Sequence, residues 1–159
     1  MRFFYLQVLK WPSCQLELTT PKRPHRIPYL LSPSEVRRII EHADNPKYAM
    51  MLALCYACGL RVSELVALQV SHIHGEAGYC QVVQAKGQKD RQVPLPDTTL
   101  RMLRGYWSAF RPVSWLFTGR DPERPLCIDS VQKYYRKTRL KAGISGSGGI
   151  HGLRHAFAT

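Results

Sequence analysis

The sequence predicts a mostly helical α+β fold with a small antiparallel three-stranded sheet in the middle of the chain. Apolar residues recur with helical spacing before residue 70 and after residue 97, whereas the stretch between them alternates with a period of two. A hydrophobic content of 45% and a charged content of 21% fit an ordinary globular protein. The 159 residues suffice for one domain with a proper core.

The first helices carry clear start and stop signals. The residues SPSE at 32–35 predict a helix start, in which the first serine is the N-cap and the glutamate completes a capping box. The sequence DNP at 44–46 ends that helix. Residues 47–58 are apolar nearly all round, which predicts a buried core helix that stops at Gly59. A third helix is expected over 61–69.

The middle of the chain has the pattern of a sheet. Residues 79–85 and 91–95 read as strands on either side of a glycine-containing hairpin turn at 86–90. A short third strand is expected within 71–74.

The remaining segments return to helical spacing. Asp97 is expected to cap a helix that Arg111-Pro112 closes, and residues 128–142 predict a basic helix. A glycine- and serine-rich loop at 145–149 then leads to a last helix that begins near His151.

The charge is strongly positive. The 23 Lys and Arg exceed the 11 Asp and Glu, which gives a net charge of +12. Residues 101–159 alone contain 11 Lys and Arg against 3 Asp and Glu. Such an excess favours a polyanionic partner, because each neutralised phosphate releases a counterion. Composition alone leaves open a basic protein without any nucleic-acid role.

The five cysteines do not predict a metal site. Cys55 and Cys58 form a C-x-x-C pair inside an apolar helix, and the closely spaced His72 and His74 do not complete a zinc-finger pattern. Two buried structural cysteines are the better interpretation. We find no carboxylate cluster for magnesium and no phosphate-binding glycine loop, so neither a metal, a cofactor nor a small-molecule substrate is expected.

No secretion signal is present, and the longest apolar run, 49–60, is too short to span a membrane. We therefore expect an intracellular protein with reduced thiols and no membrane partner.

Four cationic residues are candidates for chemistry. Arg61 follows an apolar helix directly, although a salt bridge to Glu64 explains it equally simply. Lys86 lies where a strand meets a turn, which also suits a solvated lysine. His151 and Arg154 share one face of a helix start, where positive charge is unfavourable unless an anion binds. The alternative for this pair is an exposed helix end.

Three stretches of the sequence are CGLRVSELVALQ at 58–69, AKGQKDRQVPL at 85–95 and HGLRHAFAT at 151–159. In residue type, order and spacing they resemble the consecutive motif blocks of the tyrosine recombinase, or phage integrase, family. The residues LSPSEVRRII at 31–40 are similar to the opening helix of that family's catalytic domain.

The resemblance implies a domain organisation. Residues 29–159 would form a recombinase catalytic domain that is incomplete at its C-terminus. Residues 1–12 would be the remnant of the last helix of an N-terminal core-binding domain. The proline-rich, basic residues 13–28 would be the linker between the two.

The resemblance also implies a chemistry. Arg61 corresponds to the first catalytic arginine, Lys86 to the lysine of the β-hairpin, and His151 with Arg154 to the His-x-x-Arg pair. The family cuts DNA by attack of a tyrosine hydroxyl on a phosphodiester, which gives a 3′-phosphotyrosyl intermediate without a metal. The predicted DNA-binding residues are Lys89, Arg91, Lys133, Arg136, Lys137, Arg139 and His155.

The family's nucleophilic tyrosine follows the His-x-x-Arg block, whereas the last tyrosines here are Tyr134 and Tyr135. We expect one of these in the core and one facing DNA. The sequence therefore predicts a DNA-binding recombinase fragment that stops before the nucleophile and is inactive alone. Its parent would carry out DNA integration, recombination or transposition as a tetramer on paired duplex sites, in the nucleoid of the bacterial cytoplasm.

Two alternatives remain open. The first is a non-catalytic duplex-DNA-binding module or regulator that retains the cationic phosphate pocket. The second is a basic RNA-binding protein, which leaves the three ordered motif blocks as coincidence.

Overall fold

The computed structural model describes residues 7–10, 29–85, 89–145 and 148–157. Helices come first, a sheet follows, and helices complete the described chain. The elements are α1 (Pro33–Glu41), α2 (Pro46–Ala57), α3 (Val62–Val66), β1 (Ile73–His74), β2 (Tyr79–Ala85), β3 (Lys89–Pro94), α4 (Asp97–Phe110), α5 (Ile128–Lys141) and α6 (His151–Phe157). The prediction of a mostly helical α+β fold is confirmed. The predicted linker and most of the predicted N-terminal helix lie outside the described residues.

The helix boundaries around residue 45 follow from capping. Ser32 and Glu35 form the expected capping box at the start of α1. The DNP segment does more than end α1, because the Asn45 side chain accepts a hydrogen bond from the backbone N–H of Lys47 and starts α2. Helix α2 is buried continuously over 50–55, as its apolar sequence predicts.

Helix α3 is shorter than expected. It ends at Val66, and the chain then pairs with the segment that precedes α5. The N–H of Leu116 donates to the carbonyl of Leu68, and the N–H of Val70 donates to the carbonyl of Ser114. These long-range bonds satisfy backbone groups that a longer helix would have used, so tertiary pairing overrides the local helical spacing. The expected helix over 61–69 is thus wrong at its C-terminal end.

The start of α4 also differs from the prediction. Pro96 is the N-cap residue, and no side-chain cap is formed. Asp97 instead lies in the first helical turn, where its charge interacts favourably with the helix dipole. Arg111 closes the helix in the left-handed conformation, as the sequence predicts for that boundary.

The three strands form one antiparallel sheet in the order β1-β2-β3. Cys80 pairs with Ile73 on one side and with Val93 on the other. Cys80, Val82 and Val93 are buried, so the alternation seen in the sequence marks the core face of the sheet. The tip of the predicted hairpin, residues 86–88, lies outside the described residues.

The two adjacent tyrosines of α5 have different surroundings. Tyr135 is 1% exposed, which confirms that one of the pair belongs to the core. The ring of Tyr134 stacks on Tyr48 with 4.0 Å between centroids. The hydroxyl of Tyr134 accepts a hydrogen bond of 2.9 Å from the backbone N–H of Asn45. Tyr134 therefore packs against the start of α2, and its hydroxyl bonds within the fold; that it faces DNA stays a prediction.

The C-x-x-C pair belongs to the core, as the sequence predicts. Cys55 and Cys58 are 1% and 2% exposed. Burial raises the pKa of Cys55 to about 12, so its thiol stays protonated at neutral pH. Across the described ranges, no three His, Cys, Asp or Glu side chains are grouped closely enough to hold a metal ion. None of the helices described is both long and apolar enough to cross a bilayer.

Gly59 joins α2 to α3 and contacts α6. Its φ angle is +57°, in the region that glycine adopts without strain. A Cβ atom at this position would lie 2.6 Å from Cδ1 of Phe157, so the ring of α6 packs directly on the glycine. Only glycine satisfies both the turn and this close approach.

We expect Gly59→Ala to lower the free energy of unfolding by about 1–3 kcal/mol, since it combines left-handed strain with a steric clash. Urea unfolding followed by circular dichroism measures the change. The matched control is Gly105→Ala inside α4, where a Cβ atom meets nothing within 4 Å. The control should gain about 0.5–1 kcal/mol from the higher helix propensity of alanine. Equal effects of the two substitutions would contradict this account.

Candidate active site

Arg61 is held by the glutamate three residues later. Its backbone N–H donates to Oε2 of Glu64 at 2.8 Å, and its Nη1 donates to Oε1 at 2.7 Å. The first bond caps the N-terminus of α3, while the second fixes the guanidinium. The salt bridge considered from sequence is therefore present, but its carboxylate is buried rather than solvated, with a side-chain exposure of 6%.

Arg91 reaches the same carboxylate from strand β3. Its Nη1 and Nη2 donate to Oε1 and Oε2 of Glu64, both at 2.8 Å. This is the paired, planar geometry that makes arginine–carboxylate bonds strong and directional. The residue was predicted to bind DNA, and the structure places its guanidinium against Glu64.

Arg154 approaches from helix α6. Its Nη1 donates to the carbonyl oxygen of Gly59 at 2.6 Å and lies 3.8 Å from Oε2 of Glu64. Arginines from α6, β3 and the α2–α3 turn thus converge on one carboxylate. We call Arg61, Arg91 and Arg154, with Glu64 between them, the arginine cluster.

The charges of the arginine cluster do not cancel. Three guanidiniums face one carboxylate, which leaves an excess of two positive charges. The guanidinium side chains are 35%, 32% and 32% exposed, so they remain accessible to an anion. A cavity of about 310 Å³ is lined by Arg91 and Arg154 of the cluster, together with Phe157 and other residues.

The surroundings keep Glu64 ionised. Burial by itself raises the pKa of Glu64, but the hydrogen bonds from Arg91 and from the backbone and guanidinium of Arg61 outweigh it. Together they lower the pKa of Glu64 to about 2. The carboxylate is therefore a fixed negative charge at every physiological pH.

The structure describes some, but not all, of the other predicted catalytic and DNA-binding residues. His151 is the first residue of α6 and is exposed, one turn before Arg154 on the same helix. Lys86 lies outside the described residues, and so does the side chain of Lys89. His155 is exposed on α6. The roles of these four residues remain predictions.

The basic residues of α5 fall into two groups. Lys133, Arg136 and Lys137 are exposed along the helix. Arg139 is half-buried, and its Nη1 donates to the carbonyl oxygen of Gly148. Arg139 therefore fastens the loop that leads into α6, whereas the first three are open to a partner.

Sequence reasoning missed the central position of Glu64. A usable signal was present, because Glu64 lies among apolar residues of α3 of which Val62, Leu65 and Val66 are buried. A carboxylate in such a segment must meet cations on the buried side. Nothing local in the sequence indicates that Arg91 and Arg154 supply them.

Comparison with known proteins identifies relatives of this chain. Tyrosine recombinase XerD of Oceanobacillus iheyensis is 38% identical over 159 residues, covering 93% of this chain and 52% of that protein. A tyrosine recombinase of Pseudothermotoga lettingae is 35% identical and covers 99% of this chain and 56% of that protein. The chain spans about half the length of these curated relatives.

Solved structures show the same fold. The crystal structure of XerA recombinase superposes with a TM-score of 0.75 at 24% identity, covering 99% of this chain and 65% of that chain. The fold is thus that of a tyrosine recombinase catalytic domain. Residues 30–159 match the model of the phage integrase family, and the chain belongs to that family.

The ionised state of Glu64 predicts a specific acid sensitivity. Because its pKa is lower in the folded than in the unfolded chain, its stabilising contribution is complete above the unfolded pKa. That contribution is lost as pH falls from about 5 towards 2. We expect Glu64→Gln to cost about 2–3 kcal/mol at pH 7, less than for a fully buried pair because the arginines stay partly exposed.

The check is urea unfolding of both proteins at several pH values between 7 and 3. The difference in unfolding free energy between them should stay level down to about pH 5 and shrink below it. A difference that stays constant down to pH 3 would mean that the pKa of Glu64 is the same in the folded and the unfolded chain.

Proposed function

We propose that this chain forms the phosphate-binding part of a site-specific tyrosine recombinase active site that acts on duplex DNA. The observation that carries the proposal is the convergence of Arg61 and Arg154 on Glu64 in a member of this family. Their guanidiniums remain partly exposed, and that of Arg154 lines a cavity, so an anionic group can reach them.

The main requirement of the proposed chemistry is positive charge close to the phosphate that is attacked. When a tyrosine hydroxyl attacks the phosphodiester, a new oxygen–phosphorus bond forms and the bond to the 5′-oxygen breaks. Negative charge gathers on the non-bridging oxygens in the transition state. Arg61 and Arg154 would stabilise that charge with paired hydrogen bonds, as preorganised donors do in other enzymes.

Two further residues would move protons. Lys86 would donate a proton to the departing 5′-oxygen, and His151 would assist proton transfer at the nucleophile or orient the phosphate. The bond energy stays in the phosphotyrosyl link, so rejoining needs no nucleotide cofactor. The attacking tyrosine would come from the region that follows the His-x-x-Arg block in the family.

Duplex DNA is the proposed partner. The exposed Lys133, Arg136 and Lys137 on α5 would bind its phosphates, together with Lys89 and His155. A lambda integrase dimer bound to a core site is among the similar structures, with a TM-score of 0.73. A lambda integrase tetramer on a Holliday junction is another, with the same score. We propose that the full-length protein likewise acts as a tetramer on paired sites, within the nucleoid.

The proposed domain organisation follows the family. Residues 29–159 would belong to the catalytic domain, residues 13–28 would be the linker, and residues 1–12 would end a core-binding domain.

A second candidate function is non-catalytic DNA binding. It is favoured by the tyrosines, because the hydroxyls of Tyr106 and Tyr134 bond within the fold and Tyr135 is buried. A chimera separates the two candidates. The chain is extended with the segment that follows the His-x-x-Arg block in the Oceanobacillus XerD relative, and is then offered a nicked duplex that traps covalent intermediates.

The recombinase proposal expects a covalent protein–DNA band on a denaturing gel. The band should be lost in chimeras carrying Arg61→Ala or Arg154→Ala, since each removes about 2–4 kcal/mol of transition-state stabilisation. DNA binding without any covalent band in the unmodified chimera would establish the binding module instead.

The proposed DNA contact of α5 is tested by measuring how duplex affinity depends on salt concentration. Changing Lys133, Arg136 and Lys137 to glutamine, one at a time, should weaken duplex binding regardless of sequence. Each change should also reduce the slope of log K against log salt by about one. Fluorescence anisotropy with a labelled duplex from 50 to 200 mM salt measures both effects.

The matched control is Arg124→Gln, which removes the same charge from a surface side chain that is 84% exposed. It should leave the salt slope unchanged. If the control and the α5 variants behave alike, α5 is a solvated face rather than a DNA contact.

A further inference from the structure

We infer that Arg91 is a positioning residue, which acts on the catalytic arginines through Glu64 and does not contact DNA. The inference rests on the proposed function, since it assigns a role within that active site. It also revises the interpretation of Arg91 as one of several basic residues available to phosphate.

The hydrogen bonds of Glu64 support this role. A carboxylate offers about four lone-pair sites. The backbone N–H of Arg61, its Nη1, and Nη1 and Nη2 of Arg91 donate to the two oxygens at 2.7–2.8 Å. Arg91 therefore occupies half of the accepting capacity of Glu64.

Because Arg91 fills these accepting sites, N–H groups of Arg61 and Arg154 remain available to bind a phosphate. Arg154 lies 3.8 Å from Glu64, beyond hydrogen-bond distance, and its Nη1 bonds the carbonyl of Gly59 instead. If Arg91 were absent, two lone-pair sites of a buried carboxylate would become unsatisfied. The nearest donors able to fill them belong to Arg61 and Arg154, so the carboxylate would compete with the scissile phosphate for the same N–H groups.

Arg91 also connects two parts of the site. It lies on β3, opposite Val82 of β2, and Lys86 lies between these two strands in the sequence. Its paired bond to Glu64 ties this hairpin to the first turn of α3, immediately after Arg61. A bidentate bond restricts rotation as well as distance, so it sets the orientation of the hairpin relative to Arg61.

A direct phosphate contact is the competing explanation, because the side chain of Arg91 is 32% exposed. The two roles predict different consequences of substitution. A phosphate contact contributes to affinity whatever residue stands at position 64. A residue that acts through Glu64 loses its effect once Glu64 no longer carries a charge.

A double-mutant cycle distinguishes them. Wild type, Arg91→Gln, Glu64→Gln and the double variant are compared for duplex affinity and salt slope on the chain itself. We expect Arg91→Gln to weaken duplex binding in the wild-type background, because the freed carboxylate competes for Arg61 and Arg154, and to leave the salt slope intact. In the Glu64→Gln background, Arg91→Gln should add nothing. Weaker binding by Arg91→Gln in both backgrounds, with a slope lower by about one, overturns the inference.

A spectroscopic measurement follows the contact between Arg91 and Glu64 in solution. The carboxyl carbon of Glu64 is followed by NMR as pH is lowered in wild type, Arg91→Gln and Arg91→Lys. The groups that face Glu64 are Arg61, Arg154 and the Cys55 thiol, besides Arg91 itself. Burial raises the pKa of Glu64 once its strongest partner is lost, so the midpoint should move upward by at least a unit in Arg91→Gln.

The lysine variant keeps the charge but not the paired geometry, so its midpoint should lie between the other two. Unchanged midpoints in both variants overturn the inference, provided that circular dichroism shows folded protein.

The rate of covalent complex formation by the chimera completes the test. At saturating DNA, Arg91→Gln and Arg91→Lys should both lower this rate by about 10- to 100-fold, because misplacement of a catalytic group carries that penalty. Restoration of the full rate by lysine overturns the inference. If the unmodified chimera forms no covalent complex, the proposed function fails, while the binding cycle and the NMR titration still decide the role of Arg91.

Discussion

The buried carboxylate of Glu64 is the interaction on which the rest of the site depends. It joins the α2–α3 turn to strand β3 by hydrogen bonds and lies within 3.8 Å of a guanidinium on α6. Burying a lone carboxylate is costly, and so is bringing three guanidiniums together, but each arrangement relieves the cost of the other. The cationic pocket is therefore stable in the folded chain because the carboxylate and the three guanidiniums offset each other's electrostatic cost.

The backbone supports the same arrangement. The left-handed turn at Gly59 ends α2 and directs a carbonyl oxygen at Arg154, while Phe157 packs against the glycine itself. Beneath them, Leu153 of α6 is fully buried. The guanidinium of Arg154 is thus positioned by main-chain geometry and by apolar packing, and its nearest carboxylate in the described part of the chain, Glu64, is 3.8 Å away.

Much of the fold could be predicted from the sequence because its signals are local. The SPSE capping box, the apolar helix before Gly59 and the alternation of Cys80 and Val82 each follow from a few neighbouring residues. The early end of α3 could not be predicted, because it depends on pairing with residues 114–116, far along the chain.

The site, like the end of α3, depends on long-range contacts that the local sequence does not predict. Motif order pointed to Arg61 and Arg154 as partners, and the structure brings them to one carboxylate. For Arg91, in contrast, the sequence predicts DNA binding and gives no indication of the bond to Glu64. Only the three-dimensional contact with Glu64 distinguishes it from a surface arginine, and no spacing rule connects residues on separate elements.

Helix α6 carries two residues of the site on one docked element. Leu153 is fully buried and Phe157 packs on Gly59, so His151 and Arg154 are positioned by the docking of the helix that they share. Local opening of one element costs less free energy than unfolding of a whole domain, so displacement of α6 would separate Arg154 from Glu64 while Arg61 keeps its bond to that carboxylate.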